Sequence, residues 1–386
     1  MSAGRQERVG GRVPSVDLLR GIVMVLMALD HTRDFFSNLR FPPEDLSRAT
    51  PLLFFTRWIT HFCAPVFFLL AGVGASLMLR AGRSRKDVSL FLLTRGLWLA
   101  FLEVTILHFF WNFNFALPRF LLVLWALGMS MVILAGAIFL PRAAVATIGV
   151  VMIAGHNLLD GITPQSLGAF APFWHVLHVP GFAWPPAVFV AYPLIPWCGV
   201  MMVGFALGAV FDWEAGRRKR FLLRAGIAAT IGFVLLRILN GYGDPRDWSA
   251  QATGAMTVAS FLNLNKYPPS LLYLLMTLGP ALVALRLFDN ARGKLVDFVS
   301  VYGRVPMFYY VVHILVIHLL ASAFALVQGG EAGFLGLDIS AFPEWYGTNL
   351  AGVYVAWIVV VLILYIPCRW FANLKARRRD KWLSYL

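Results

Sequence analysis

Val16-Asp-Leu-Leu-Arg20-Gly-Ile-Val-Met-Val-Leu-Met-Ala-Leu-Asp30-His31-Thr-Arg-Asp34-Phe-Phe36 is the stretch that decides the fold. It is long enough to cross a bilayer as a helix, and ionisable residues inside such a segment are costly and commonly functional. His31 follows Arg20 by close to three helical turns, so both side chains lie on one face, about 16 Å apart along the axis. The segment predicts one wall of a membrane channel, with a cation near one surface and an imidazole near the other.

The rest of the chain is also strongly apolar. Of its 386 residues, 59% are hydrophobic and 13% are charged, whereas soluble domains average about 25% charged residues. The apolar blocks are continuous, which favours helical spans over the alternating strands of an outer-membrane barrel. We predict an all-α, polytopic integral membrane protein with about ten transmembrane helices, placed at roughly 15–36, 52–79, 89–110, 120–140, 142–157, 187–211, 220–240, 267–288, 305–326 and 348–371.

The formal charge of +14 follows the predicted topology. Lys and Arg gather in alternate connections, whereas the segments 158–186 and 327–347 contain neither residue. By the positive-inside rule both termini are cytoplasmic. We predict a basic N-terminus at 1–14, a single transmembrane domain at 15–372 and a basic C-terminus at 373–386. Because the positive charge is not gathered on a soluble face, nucleic acid is not expected as a partner.

Carboxylates and a second histidine surround the predicted position of His31. Asp34 lies three residues after His31 and can meet the imidazole on the same helix face, whereas Asp30 points about 100° away. His61 opens the second span at about the same depth. Pro65 cannot donate to the carbonyl of His61, and a freed carbonyl in a membrane must find a partner in protein, water or ligand. Two readings without a functional role stay open. Arg20 could extend its side chain to the cytoplasmic headgroups, and Pro65 could kink the helix only for packing.

Further polar residues follow later in the chain. Arg304 lies at the predicted cytoplasmic edge, where it could pair with phosphate, and His313 lies near mid-membrane. His318 is five residues further on, so the two histidines are not an i, i+4 metal pair. We expect His318 to have a structural role. Aromatic and imidazole side chains also crowd the 158–186 segment, where an interfacial belt is favoured over sugar binding; they are Trp174, His175, His178 and Trp184.

The sequence lacks the motifs of most soluble enzyme classes. It contains no metal motif, nucleophile elbow, Walker loop or dinucleotide fingerprint, so no metal site is predicted. Cys63, Cys198 and Cys368 all fall in apolar runs and form no Cys-x-x-Cys pair. We expect them to act as small hydrophobic residues.

Several motifs resemble the catalytic-domain family of heparan-alpha-glucosaminide N-acetyltransferase, in particular its bacterial branch. They are Ser15-Val-Asp-Leu-Leu-Arg-Gly21, Phe62-Cys-Ala-Pro-Val-Phe-Phe-Leu-Leu-Ala-Gly72 and Val301-Tyr-Gly-Arg-Val-Pro-Met-Phe-Tyr-Tyr-Val-Val-His313. The spacing of Arg20 and His31 is also similar to that of membrane acyltransferases that modify envelope glycans. The lysosomal family member carries Asn in place of His31, so this histidine matches the bacterial acyltransferases better.

The resemblance implies a multi-pass acyltransferase of the bacterial inner membrane. It would move an acyl group from cytosolic acyl-CoA to an amine or hydroxyl of an envelope glycan, and acetyl is the acyl group that we expect. We expect His31, oriented by Asp34 or Asp30, to be the general base, and His61 or a freed backbone donor to help hold the oxyanion. Arg20, Arg304 and His313 would bind the acyl-CoA. The alternative is a transporter of a small polar or anionic solute, and a homo-oligomer is left open.

Overall fold

The computed structural model describes residues 13–378 and 380–385. The predicted basic N-terminus therefore lies almost entirely outside the described residues. The chain forms a bundle of long helices, which are α1 Pro14–Phe36, α2 Pro51–Arg80, α3 Arg85–Asn112, α4 Val123–Ala137, α5 Arg142–Leu159, α6 Leu194–Asp212, α7 Ala215–Leu239, α8 Leu271–Asn290, α9 Lys294–Arg304, α10 Pro306–Val327 and α11 Leu350–Arg377.

Each predicted span has a helical counterpart in this bundle. Within the described residues, eight helices are long and apolar enough to cross a membrane. The helix α4 is apolar but has only 15 residues, and α1 has the length but carries several charged side chains. The protein is thus mostly helical and multi-pass, whereas the count of ten crossings and the orientation of the termini stay predictions.

A small sheet is absent from the all-α prediction and corrects it. Strand β1, Arg119–Leu121, pairs in parallel with β3, Val188–Val190, and β3 pairs antiparallel with β2, Gly181–Trp184. The predicted spans starting at 120 and 187 were therefore wrong at their beginnings. Proline explains the second error, because Pro193 cannot continue a helical hydrogen-bond ladder through that point, and α6 begins directly after it.

The helix α1 lies in the centre of the bundle, in contact with α2, α8, α9, α10 and α11. Small residues allow its closest approach. Gly303 in α9 lies against the backbone of Asp17, and Gly21 in α1 lies against the backbone of Val299, so neither position has room for a Cβ. Such small-residue contacts are how membrane helices approach closely without a hydrophobic driving force. The packing fixes both functional ends of α1 relative to its neighbours.

Candidate active site

Two cavities lie one after the other along α1. The first has a volume of about 260 Å³ and includes Arg20 in its wall. The second has a volume of about 180 Å³ and includes His31. Phe67, Val123 and Tyr310 line both cavities and so form the partition between them. The helix therefore places its cation and its imidazole in two adjoining spaces, as the spacing predicts.

The first cavity, called the basic cavity below, brings together four cations from four helices. They are Arg20 of α1, Arg95 of α3, Arg304 of α9 and Lys375 of α11. Arg20 lies 3.5 Å from the carboxylate of Asp17. The remaining wall is mainly apolar. A cavity with a cluster of cations and an otherwise apolar wall can bind a molecule with an anionic head and a thin neutral arm. Arg20 and Arg304 were predicted for this role, whereas Arg95 and Lys375 were missed.

His31 lies at the wall of the second cavity, called the outer cavity below after its predicted position. Its Nδ1 is 3.6 Å from Oδ2 of Asp34. The His31 ring meets Trp111 edge-on at 4.9 Å between centroids and lies 5.3 Å from the ring of His313. His31 is only partly buried. An imidazole with a carboxylate beside one nitrogen and open space beside the ring has the arrangement that a general base needs.

Asp30 shares the partner Arg33 with Asp34 and also contacts Arg57 of α2. It is buried, accepts a hydrogen bond from Arg33 at 3.1 Å and forms a short ion pair with Arg57 of α2. Arg57 in turn donates to Glu44 at 2.7 Å. Two guanidinium groups therefore neutralise Asp30, and this network ties α1 to α2. A carboxylate oxygen of Asp30 also lies within 4.8 Å of a ring nitrogen of His31, so the choice of Asp34 as the carboxylate for His31 stays a prediction.

Glu44 lies outside the helices, in the segment between α1 and α2. Burial raises the pKa of its carboxyl, but the charge of Arg57 and the contact with His61 outweigh burial and hold that pKa well below its ordinary value. Glu44 is therefore ionised at neutral pH. It supplies the second negative charge to the network.

His61 is buried behind this network. Its Nε2 lies 3.7 Å from Oε1 of Glu44, and, within the described chain, the walls of the two cavities do not include it. The hydroxyl of Tyr273 donates to the carbonyl of His61 at 2.7 Å. The carbonyl that Pro65 leaves without a helical donor thus finds its partner in the protein, at the hydroxyl of Tyr273.

His313 lies beside His31 and not among the cations of the basic cavity. Its Nδ1 is 2.5 Å from the carbonyl of Tyr310, so this nitrogen is the donor and Nε2 is the acceptor of the neutral ring. Nε2 is buried and makes no hydrogen bond within the described residues. The predicted role in cofactor binding stays a prediction, but the placement favours the imidazole end of the site.

The outer cavity also contains side chains that the sequence did not single out. Lys266, Tyr267 and Tyr192 line it together with Trp111 and Arg57. Lys266 and Tyr267 lie in the connection before α8, and Tyr192 lies just before α6. Residues from distant connections meet here only through the fold, so no local sequence signal marks them.

The remaining sequence candidates have structural partners. His318 donates from Nδ1 to the carbonyl of Phe110 at 2.8 Å, and its ring stacks on Phe113, which fits the expected structural role. The three cysteines are free and buried, as expected for small hydrophobic residues.

Comparison with known families points to one match. The family model of the heparan-alpha-glucosaminide N-acetyltransferase catalytic domain matches residues 12–237. This range is more than half of the chain, and it includes all of α1 with Arg20 and His31. No curated protein matches the sequence.

Proposed function

The chain belongs to the heparan-alpha-glucosaminide N-acetyltransferase catalytic family and is therefore a multi-pass membrane acyltransferase; we propose that it uses acetyl-CoA to transfer acetyl across a bacterial inner membrane. The donor would be cytosolic acetyl-CoA or a related acyl-CoA. The acceptor would be an amine or hydroxyl of an envelope glycan on the opposite side.

The observation that carries this proposal is the pairing of the two cavities. Four cations surround the basic cavity, and the imidazole of His31 lies in the adjoining outer cavity. Acyl-CoA carries its phosphates at one end and its thioester at the other, on a thin flexible arm. The rise of α1 between Arg20 and His31 is about 16 Å, which suits phosphates at one cavity and the thioester at the other.

The expected orientation agrees with this direction of transfer. Arg304 and Lys375 belong to connections that the positive-inside rule assigns to the cytoplasm. The basic cavity would then open where acyl-CoA is made, and the outer cavity would open to the envelope. Fixed cations at a partly enclosed mouth also raise the local concentration of an anionic substrate.

In the proposed reaction, His31 takes the proton from the acceptor amine or hydroxyl as the acceptor attacks the thioester carbonyl. The new C–N or C–O bond forms, the C–S bond breaks, and the CoA thiolate leaves and takes up a proton. Asp34, 3.6 Å from Nδ1, would orient the ring and stabilise the imidazolium. We assign His61 and the Glu44–Arg57–Asp30 network to positioning, since His61 lies behind the cavity wall.

The outer cavity supports a sugar as the acceptor. Trp111, Tyr192 and Tyr267 give it aromatic surface, and charged groups from α1 and α2 give it hydrogen-bonding partners. Aromatic faces pack on sugar rings while polar groups fix the hydroxyls, as in other small-molecule sites.

The test is acetyl-CoA turnover by detergent-purified protein, measured as free thiol with and without a panel of amino sugars. His31→Ala should lose about 10²- to 10⁴-fold in rate while binding CoA in calorimetry like the parent. His175→Ala, the same substitution in the 158–186 segment, is the matched control and should keep full activity. Turnover near the parent level in His31→Ala would move the base elsewhere. A folded, CoA-binding parent that never cleaves the thioester would favour the transporter alternative.

A further inference from the structure

A cluster at the end of α5 is separate from the two cavities. It consists of His156, Asp160 and His178, and each residue offers one ligand atom within 4.8 Å of the others. The walls of the basic and outer cavities, as far as the chain is described, include none of the three. His178 belongs to the 158–186 segment, whose histidines and tryptophans the sequence had assigned to the membrane interface.

The two histidines of this cluster are buried without full hydrogen bonding. His156 is 2% exposed, and neither of its ring nitrogens has a hydrogen bond of good geometry within the described residues, although the backbone of Pro269 lies close to the ring. His178 is fully buried, with Nε2 at 3.0 Å from Oδ1 of Asp160 and with Nδ1 unsatisfied. A buried polar group without a hydrogen-bond partner is unfavourable. Two such rings side by side, at 5.6 Å between centroids, indicate that a further partner belongs between them.

Asp160 has the properties of an anionic ligand. Its Oδ1 accepts a hydrogen bond from Nε2 of His178 at 3.0 Å, and carboxylate oxygens are common ligands of Zn²⁺. Its side chain is partly open to solvent, which gives an ion a path into the cluster.

Supporting residues around the cluster are also present. Asn157 donates to Oδ2 of Asp160 at 2.9 Å, which leaves Oδ1 directed to the cluster. Asn157 is itself held by the backbone N–H of Leu271 in α8, at 3.0 Å. Carboxylate ligands in metal sites are commonly held by hydrogen bonds of this kind.

We propose that His156, Asp160 and His178 bind one divalent transition metal ion, with Zn²⁺ as the best match. Two imidazoles and one carboxylate form a common zinc ligand set, at about 2.0–2.2 Å from the metal, with water as a fourth ligand. The ion would give one nitrogen of each ring a partner.

The ion would fasten the 158–186 segment to the end of α5. This segment leads into β2 and β3, and β3 pairs with β1, Arg119–Leu121. The chain directly after β1 contributes Leu122 and Val123 to the outer cavity. The metal is thus a structural clamp on the sheet next to the outer cavity, and no step of acyl transfer depends on it.

The test uses protein from which any affinity tag has been removed and which has been treated with EDTA. Titration with Zn²⁺ in a calorimeter should show one equivalent per chain, and Co²⁺ should give visible absorption bands. His156→Ala and His178→Ala should each weaken Zn²⁺ binding by at least about tenfold, the loss typical even of supporting residues. His175→Ala is the matched control, because His175 lies in the same segment but bonds the carbonyl of Val179 at 2.9 Å.

Two results would overturn the proposal. One is a folded parent with no saturable Zn²⁺ binding. The other is binding that is equal in the parent and in His156→Ala. If a histidine variant does not fold, Asp160→Asn replaces it, since this isosteric change at a partly exposed side chain removes only the anionic ligand. Asp160→Asn should keep the elution volume and helical signal of the parent and lose the Co²⁺ bands; retention of those bands counts against the site.

Discussion

Arg95→Gln is the sharpest test of where the phosphates of acyl-CoA bind. Arg95 reaches the basic cavity from α3 and shares it with Arg20, Arg304 and Lys375. A hydrogen bond to a charged group contributes about 1.5–3 kcal/mol. Three other cations remain after the substitution and Arg95 is only partly buried, so the low end of that range applies. A loss of about 1.5 kcal/mol corresponds to roughly tenfold weaker acyl-CoA binding.

The assay is acetyl-CoA turnover together with CoA calorimetry on detergent-purified protein. Arg95→Gln should raise KM about tenfold with little change in kcat, because Arg95 acts on the bound donor and not on the thioester. Lys86→Gln is the matched control, since it removes a positive charge from the exposed side of the same helix. The reasoning fails if kcat falls while CoA affinity is unchanged, or if both variants lose affinity equally.

Three further predictions concern the helix break, the charge network and the orientation. Tyr273→Phe should destabilise the protein by about 1–3 kcal/mol, seen as a lower midpoint in thermal unfolding, because it leaves the carbonyl of His61 without its donor. Ionised Glu44, paired with Arg57, stabilises the fold at pH values above the ordinary carboxyl pKa of 4.5. This stabilisation is lost as the pH falls towards the depressed pKa of Glu44 in the folded protein. The unfolding midpoint of Glu44→Gln should therefore depend less on pH in acid than the midpoint of the parent. A reporter fused after Leu386 should be active only in its cytoplasmic form, and a periplasmic signal would reverse the assigned depths.

Local helix geometry is the part of the site that the sequence could predict. The spacing of Arg20 and His31 depends only on the rise and twist of one helix, and the two residues do line adjoining cavities along α1. The same holds for Pro65, whose missing N–H leaves one particular carbonyl without a donor. Such arguments succeed because every atom involved belongs to a single continuous element.

Contacts between elements could not be predicted in this way. Arg95 and Lys375 have ordinary neighbours in sequence, a helix interior and a basic tail, and only the packing of α3 and α11 brings them to Arg20. The sheet shows the same limit, since β1 and β3 are too short to give a periodic signal and pair across many intervening residues. The position of His313 along the sequence predicts its depth near mid-membrane. It does not predict which face of α10 contacts α1, and so it could not place His313 beside His31.

The two carboxylates beside His31 show how packing divides roles that sequence leaves similar. Asp30 and Asp34 lie one turn apart, and Arg33 contacts both. Only Asp30 also meets Arg57, which comes from α2, so its charge is committed to holding two helices together. Asp34 has one guanidinium partner and keeps an oxygen 3.6 Å from the imidazole of His31. A carboxylate balanced by two cations stabilises an imidazolium less than one balanced by a single cation, which is why the structure favours Asp34 as the partner of the proposed base.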